Sequence, residues 1–211
     1  MLASTRAAQL LLEAHAVMLN LETPFRYASG ILSPIYCDNR VLISDPGRRA
    51  ELVTGLVELA RAHAPDADVI SGTATAGIPW AAWVADRLDK PMVYVRAAAK
   101  EHGRGQRIEG RLASPARVLV VEDLVSTGGS SLSTVEALRE AGSDVLGVIA
   151  IFSYGLRRAT AGFAAAGVPV YSLTGLRTLL DVAAATDYIP AGRRAAVGAA
   201  IAVALGDLSE V

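Results

Sequence analysis

The stretch VLVVEDLVSTGGSS, residues 118–131, sets two adjacent carboxylates between an apolar run and a turn of hydroxyl and glycine residues. The apolar run has the composition of a fully buried strand, and the turn leads into a segment of helical character. Backbone N–H groups at a helix N-terminus attract anions, whereas the carboxylates of Glu122 and Asp123 repel them. The ligand of this stretch must therefore carry both an anionic group and groups that donate hydrogen bonds.

A phosphorylated sugar has both kinds of group. Glycines allow the backbone to wrap a phosphate, and serine and threonine hydroxyls add further donors. No lysine follows the glycines, as it would in a Walker A loop, and the spacing of a dinucleotide fingerprint is absent. Carboxylates accept hydrogen bonds, so Glu122 and Asp123 suit the 2- and 3-hydroxyls of a ribose whose 5-phosphate lies on the turn. The simpler alternative is a strand that ends in solvated acids before a capped helix.

Composition limits the class of protein. The 211 residues are 52% hydrophobic and 19% charged, which is typical of a globular chain with one substantial core. The formal net charge of −1 disfavours a general nucleic-acid binder, and the lone Cys37 fits a reducing compartment. Residues 1–19 are amphipathic and lack the layout of a signal peptide, and no apolar run is long enough to span a bilayer. We therefore expect a cytoplasmic protein that binds neither nucleic acid nor membrane.

Apolar strands alternate with helical segments along most of the chain, which predicts an α/β fold. Helical spacing covers residues 3–19, and Asp45 followed by Pro46 predicts an N-cap for a helix that ends near His63. Short strands and turns are predicted within residues 25–43. Further strands are predicted over 68–72, 92–97, 117–123, 144–152 and 168–173, and helices over 77–88, from 129 to 141, and after the last two strands. This alternation predicts a mainly parallel sheet covered on both faces, with ligands bound beyond the carboxyl ends of its strands.

Residues 96–111 form a basic segment within a stretch, 98–116, that matches neither a strand nor a helix. Five basic and two acidic side chains give it a net charge of +3, in a chain whose net charge is −1. Three glycines favour mobility, and a mobile basic loop suits a polyanion that must be enclosed and then released. A solvated surface loop is the alternative. A second turn of small residues, SGTATAGIP (71–79), has amides that could hold an anion, or it is a plain strand-to-helix turn.

Residues 118–131 resemble the phosphoribosyl pyrophosphate (PRPP) motif of type I phosphoribosyltransferases. Three other stretches resemble orotate phosphoribosyltransferases in the same order along the chain, and the similarity spans most of residues 20–155. They are SGILSPIYCDNR (29–40), GTATAGIPWAAWVADR (72–87) and YVRAAAKEHGRGQRIEG (94–110). The resemblance implies one domain over residues 1–211 with a type I phosphoribosyltransferase fold. A small hood subdomain would come mainly from 1–44 with a C-terminal contribution, and the core from about 45–185.

The same resemblance implies roles for particular residues. Lys100 and Asp123 are the expected catalytic residues, and Ser126, Tyr36 and Cys37 are expected to contact orotate. Tyr36 could otherwise be a core-packing residue. The residues expected to bind PRPP are Arg96, Lys100, His102, Glu122, Asp123, Leu124, Val125, Ser126, Thr127, Gly128, Gly129 and Ser130. No direct protein ligand to a metal is expected.

The implied reaction transfers the 5-phosphoribosyl group of PRPP to orotate, giving orotidine 5-monophosphate and pyrophosphate, in pyrimidine nucleotide synthesis. Mg²⁺ is the implied cofactor, bound through PRPP and water. The implied assembly is a homodimer in which the 96–111 loop reaches the neighbouring subunit's site. The chain departs from many relatives at Ala28 and Ala76, where they carry lysine, and at Tyr154, near an arginine of some relatives. Arg26, Arg40, Arg157 or backbone amides are the candidate donors to the orotate carboxylate.

Two other functions remain open from the sequence. The first is another type I phosphoribosyltransferase, acting on a purine or on uracil. The stretch FRYASGILSPIYCDNR (25–40) fits orotate enzymes better than these. The second is a non-catalytic regulator that binds PRPP. Such a protein would commonly carry a DNA-binding module, and the sequence has no convincing helix-turn-helix or basic N-terminal domain.

Overall fold

The structure is a computed structural model that describes residues 2–26, 32–98, 107–190 and 192–206. The helices are α1 (Ser4–Glu13), α2 (Pro46–His63), α3 (Gly77–Leu88), α4 (Gly129–Glu140), α5 (Arg157–Ala166), α6 (Leu176–Ala185) and α7 (Arg194–Leu205), with a 3-10 helix at Asn39–Ser44. The strands are β1 (Val17–Leu19), β2 (Phe25–Arg26), β3 (Leu32–Ser33), β4 (Ile35–Cys37), β5 (Val69–Thr73), β6 (Met92–Val95), β7 (Ile108–Glu109), β8 (Arg117–Val125), β9 (Asp144–Ser153) and β10 (Val170–Gly175). No helix within these described ranges is long and apolar enough to cross a bilayer.

A six-stranded sheet forms the centre of the molecule, in the order β10-β9-β8-β5-β6-β7. All its neighbouring strands are parallel except β7, which pairs with β6 in the antiparallel direction. The central strands β8 and β9 are almost wholly buried because helices cover the sheet, which explains their continuous runs of Val, Ile and Leu. The predicted α/β fold with a mainly parallel sheet is confirmed, and β8 lies near its middle.

The helix predicted over residues 3–19 is wrong beyond Glu13. His15 has a left-handed backbone with φ of 52°, and Val17–Leu19 form strand β1. This strand pairs with β4, so that Val17 faces Cys37 and Met18 faces Tyr36. The apolar spacing of Val17 and Met18 fits a helix equally well. Pairing with β4 makes this segment a strand, because a strand gains its hydrogen bonds from another segment of the chain.

Strand β7 lies inside the stretch that matched no regular structure. Glu109 pairs with Tyr94 and Ile108 with Val95, so the basic segment returns to the edge of the central sheet. Strand β8 also continues two residues beyond the predicted end at Asp123. Leu124 and Val125 pair with residues of β9, and the turn therefore begins at Ser126.

Two small antiparallel pairs, β1 with β4 and β2 with β3, lie in the N-terminal part of the chain. Helix α7 contacts β3, and α1 contacts α6, so both ends of the chain meet. The remaining predicted elements occur within a few residues of their expected positions. Helix α3 spans residues 77–88 as predicted, and Asp45 caps α2 by accepting from the Arg48 amide at 3.1 Å. The bounds of a hood subdomain stay a prediction.

Candidate active site

The turn after β8 opens an uncapped helix at the carboxyl edge of the sheet. Gly128 has φ of 79°, and a Cβ there would lie 3.0 Å from Cε2 of Phe163, so both conformation and space favour glycine. No side chain in the described part of the chain caps α4, and Gly129 and Ser130 are exposed at its first turn. The unpaired N–H groups of this first turn form a cradle suited to an anion.

The two acids that end the apolar run of β8 are buried at the same edge. Glu122 is 5% exposed and Asp123 is 9% exposed. Glu122 accepts from the Asp123 amide at 3.1 Å and from the Ser131 hydroxyl at 3.0 Å. Burial and the neighbouring charge of Asp123 raise the pKa of Glu122 well above its ordinary value. Burial also raises the pKa of Asp123, so burial favours the protonated form of both acids until a hydrogen-bond donor or a cation reaches them.

Asn39 joins this edge to the N-terminal strands, and the sequence analysis missed it. Its side-chain amide is fully buried and donates to the carbonyl of Asp123 at 2.8 Å. Its oxygen accepts from the thiol of Cys37 at 3.5 Å. Burial, then the charges of Asp123 and Asp38, raise the pKa of Cys37 well above its ordinary value. Cys37 is therefore held as a neutral thiol close to Asp123, and the only sequence signal for Asn39 was its place in a polar cluster after a strand.

The residues expected to contact orotate lie on β4 and on the turn. Tyr36 is half-buried with its ring tilted on Phe25 at 5.8 Å, and Ser126 is half-buried at the start of the turn. Arg40, a candidate donor to orotate, binds the carboxylate of Asp38 through two nitrogens at 2.6 and 2.8 Å. Its charge is therefore already balanced by a neighbour.

The other two candidate arginines, Arg26 on β2 and Arg157 at the start of α5, are exposed. Tyr154, near the position of an arginine in some relatives, is buried and forms a T-shaped ring pair with Phe152. Ala28 lies outside the described residues. The assignment of donors to orotate stays a prediction.

The turn between β5 and α3 is packed more tightly than the turn after β8. A Cβ on Gly77 would lie 2.6 Å from the carbonyl oxygen of Val121, so the start of α3 touches the backbone of β8. A cis peptide bond joins Ala74 and Thr75. The hydroxyl of Thr73 is buried and has no hydrogen-bond partner among the described residues. This turn therefore offers backbone groups and no charge, as expected from Ala76.

Positive charge reaches this edge from the two ends of the basic segment. Arg96 follows β6 and lies 3.6 Å from Glu109. The backbone amide of Arg96 donates to the backbone carbonyl of Arg107 at 2.9 Å, so the two ends of the basic segment lie side by side. Lys100 and His102, expected to bind PRPP, lie outside the described residues.

The acids of the edge suit a hydrated cation carried by a ligand better than a protein-built metal cage. No cluster of three or more His, Cys, Asp or Glu able to hold a metal occurs in the described ranges. Glu122 and Asp123 are adjacent, buried and rich in acceptor oxygens. Mg²⁺ keeps several waters and prefers phosphate oxygens with one or two carboxylates nearby, so the donor set fits it.

A parallel sheet with an acid pair and an open helix N-terminus at one edge defines a phosphoribosyltransferase domain. The family model of the phosphoribosyl transferase domain matches residues 49–163. Orotate phosphoribosyltransferase of Halalkalibacterium halodurans is 54% identical over 176 residues, which are 83% of this chain and 84% of that protein. That of Coxiella burnetii is 50% identical over 186 residues, 88% of this chain and 89% of that protein. The chain belongs to the orotate phosphoribosyltransferase family.

Solved structures agree with this membership. Orotate phosphoribosyltransferase from Aeropyrum pernix aligns with a TM-score of 0.73 and 34% identity, over 82% of this chain and 96% of that one. The Leishmania donovani UMP synthase aligns with a TM-score of 0.80 and 27% identity over 95% of this chain. This chain spans only 42% of that longer protein. The type I phosphoribosyltransferase fold implied by the motifs is thereby confirmed.

Proposed function

We propose that the carboxyl edge of β8 carries out the family's reaction in this chain, transfer of the 5-phosphoribosyl group of PRPP to orotate. The observation that carries this proposal is the buried pair Glu122 and Asp123 beside the open N-terminus of α4. The turn from Ser126 to Ser130 holds the 5-phosphate, and the two acids accept from the ribose hydroxyls. Leu124 and Val125 shape the approach to the turn as parts of β8.

The reaction forms a bond from a ring nitrogen of orotate to the anomeric carbon and breaks the bond from that carbon to a pyrophosphate oxygen. Pyrophosphate leaves with the bonding electron pair, and the ring nitrogen gives up its proton to solvent. Displacement at an anomeric carbon passes through an oxocarbenium-like state, whose positive charge the buried acids can stabilise in their ionised form. Negative charge grows on the departing pyrophosphate. Lys100 is the residue proposed to stabilise that charge, with Arg96 and His102 assisting.

Mg²⁺, held by the oxygens of PRPP and by water near Glu122 and Asp123, would add positive charge against the pyrophosphate when bound. The chain's own contribution is to orient the ribose through Asp123 and to exclude water, which would otherwise hydrolyse PRPP. Ser126, Tyr36 and Cys37 hold the base, and the link from Cys37 through Asn39 to Asp123 supports that placement. Residence in the cytoplasm, favoured by the single cysteine, is part of the same proposal.

A spectroscopic assay of orotate consumption tests the proposed function. Orotate should disappear only when PRPP and Mg²⁺ are both present, and uracil, hypoxanthine and adenine should be left unchanged as controls. Consumption of one of the control bases in preference to orotate would assign the chain to another phosphoribosyltransferase. Binding of PRPP without any turnover would instead indicate a regulator.

The homodimer with a shared 96–111 loop is proposed from family resemblance and two-fold symmetry, since a two-fold interface offers each subunit the same surface. Inactive Lys100→Ala and Asp123→Asn proteins should regain activity when dissociated and reassociated together. Random mixing makes half the dimers hybrid with one intact site each, so about a quarter of wild-type activity should return. Verified hybrids no more active than either parent would place Lys100 in its own subunit's site.

A further inference from the structure

A cleft of about 250 Å³ lies between the ends of β5 and β6 and the first turns of α4. Its wall combines the turn after β5, both ends of the basic segment and one side of α4: Thr73, Ala74, Val95, Arg96, Ala97, Arg107, Gly129, Ser130, Ser133 and Thr134. Thr73 is 3% exposed, and its hydroxyl has no partner in the described ranges. The buried Thr73 hydroxyl without a described partner and the arginine side chains on this wall both favour an anionic ligand with acceptor oxygens.

Arg107 is fixed in this cleft by two neutral acceptors. Its Nε donates to the carbonyl of Arg96 at 3.1 Å, and its Nη2 donates to the hydroxyl of Ser133 at 2.9 Å. These two bonds fix the planar guanidinium group, and Nη1 donates to no residue in the described ranges. No carboxylate pairs with Arg107 among the residues that the structure describes, whereas Arg96 lies 3.6 Å from Glu109. The charge of Arg107 is therefore held in place and not balanced by a described acid.

We propose that Arg107 binds the pyrophosphate end of PRPP, and that Ser133 is a positioning residue that orients its guanidinium. The inference rests on the proposed function for the identity of the ligand. It concerns Arg107 at the described end of the 96–111 loop, in its own subunit's cleft, whereas the proposed reach into the neighbouring subunit concerns Lys100. Pyrophosphate is favoured over the 5-phosphate because Thr73 and Ala74 of the turn after β5 line this cleft, whereas the 5-phosphate is proposed to lie on the turn after β8. A guanidinium with a free edge can meet two phosphate oxygens at once. Arg107 thus restores a fixed positive charge beside an uncharged turn.

Binding of Mg²⁺-pyrophosphate by calorimetry tests this assignment without requiring orotate. Arg107→Ala should weaken pyrophosphate affinity and raise the KM for PRPP by about tenfold or more, because it removes a charge-assisted contact. The KM for orotate should change by less than about twofold, since the base does not reach the cleft. Arg139→Ala is the matched control. Arg139 is an exposed arginine on α4 that donates to the Ala166 carbonyl, so its loss changes net charge equally and should leave affinity unchanged.

Three further variants separate charge from position. Arg107→Gln keeps donors near the same place without the charge, and it covers the case in which Arg107→Ala fails to fold. Ser133→Ala keeps the charge and removes one anchor, so affinity for pyrophosphate should fall only about threefold. Adding Ser133→Ala to Arg107→Ala should lower the affinity for pyrophosphate no further, because the two residues act as a unit.

Each outcome of these measurements decides the inference. Arg107 variants that fold and keep wild-type pyrophosphate affinity overturn it, even if kcat falls, because the residue would then only support the loop. Equal rises in the KM for PRPP and for orotate also overturn it. Wild-type protein that does not bind pyrophosphate overturns it regardless of turnover. Wild-type protein that binds pyrophosphate through Arg107 yet does not consume orotate leaves the inference standing and contradicts the proposed function.

Discussion

The turn after β8 and the turn after β5 lie on adjacent strands of one sheet edge, yet they differ in almost every property. The turn after β8 follows two buried acids, exposes Thr127 and Gly129, and leads into an uncapped helix. The turn after β5 has no charged side chain, and its helix begins against the backbone of β8 at Gly77. The turn after β8 supplies side chains and open N–H groups, whereas the turn after β5 forms a closely packed wall without charge. Charge at that wall must come from elsewhere, and Arg96 and Arg107 line the same cleft as Thr73 and Ala74.

The largest expected effect is on stability, through the close approach of α3 to the backbone of β8. Gly77→Ala should lower the free energy of unfolding by roughly 3 kcal/mol, because a Cβ at 2.6 Å from the Val121 carbonyl forces backbone to move. Chemical denaturation measures this loss. Gly47→Ala, in the first turn of α2 with no atom nearer than 3.7 Å, is the control and should be neutral or stabilising. Equal stability of the two variants would show that the wall is not tightly packed.

The next largest effect should be a loss of activity when an acid before the turn after β8 is changed. Asp123→Asn should fold normally and lose about 1.5–3 kcal/mol of transition-state stabilisation, seen in kcat/KM, because a charged acceptor to a ribose hydroxyl is lost. Circular dichroism and thermal unfolding confirm the fold. A folded variant with near-normal kcat/KM would remove Asp123 from the reaction.

A smaller effect should distinguish the two substrates at the turn after β8. Ser126→Ala should weaken the binding of orotate by about 0.5–1.5 kcal/mol, the usual contribution of one hydrogen bond. The KM for orotate should therefore rise about two- to tenfold, and the KM for PRPP should change less. Steady-state kinetics with each substrate varied in turn measures the split. Equal shifts in both KM values would make Ser126 an element of the turn alone.

The smallest effect is the dependence of stability on pH, which should come from the acid pair and not from the wall. Burial raises the folded-state pKa of Glu122 well above 4.5. Its contribution to stability is then fully present below the unfolded pKa and is lost as pH rises through the folded pKa. Glu122→Gln should flatten the fall in unfolding free energy as pH rises above about 4.5, the ordinary pKa of a glutamate. An unchanged pH profile would show that Glu122 is not held as a protonated acid.

The sequence by itself determined the five parallel strands of the central sheet and the acid-bearing turn. Helix α3 and strand β8 were predicted nearly residue by residue, because buried parallel strands and amphipathic helices carry their period and their caps locally. The pair Glu122 and Asp123, the following glycines and the concentration of positive charge at 96–111 are likewise readable without a partner. Local chemistry also indicated the family, since the motifs lie within short contiguous stretches.

Tertiary structure alone decided the remainder. Residues 17–19 became a strand because β4 offers hydrogen-bond partners that are distant in sequence, and β7 formed for the same reason against β6. The contact of Asn39 with Asp123 and that of Arg107 with Ser133 join segments 84 and 26 residues apart. No periodicity encodes such contacts, because a polar side chain's partner is set by which strand ends meet at one edge and not by its neighbours along the chain.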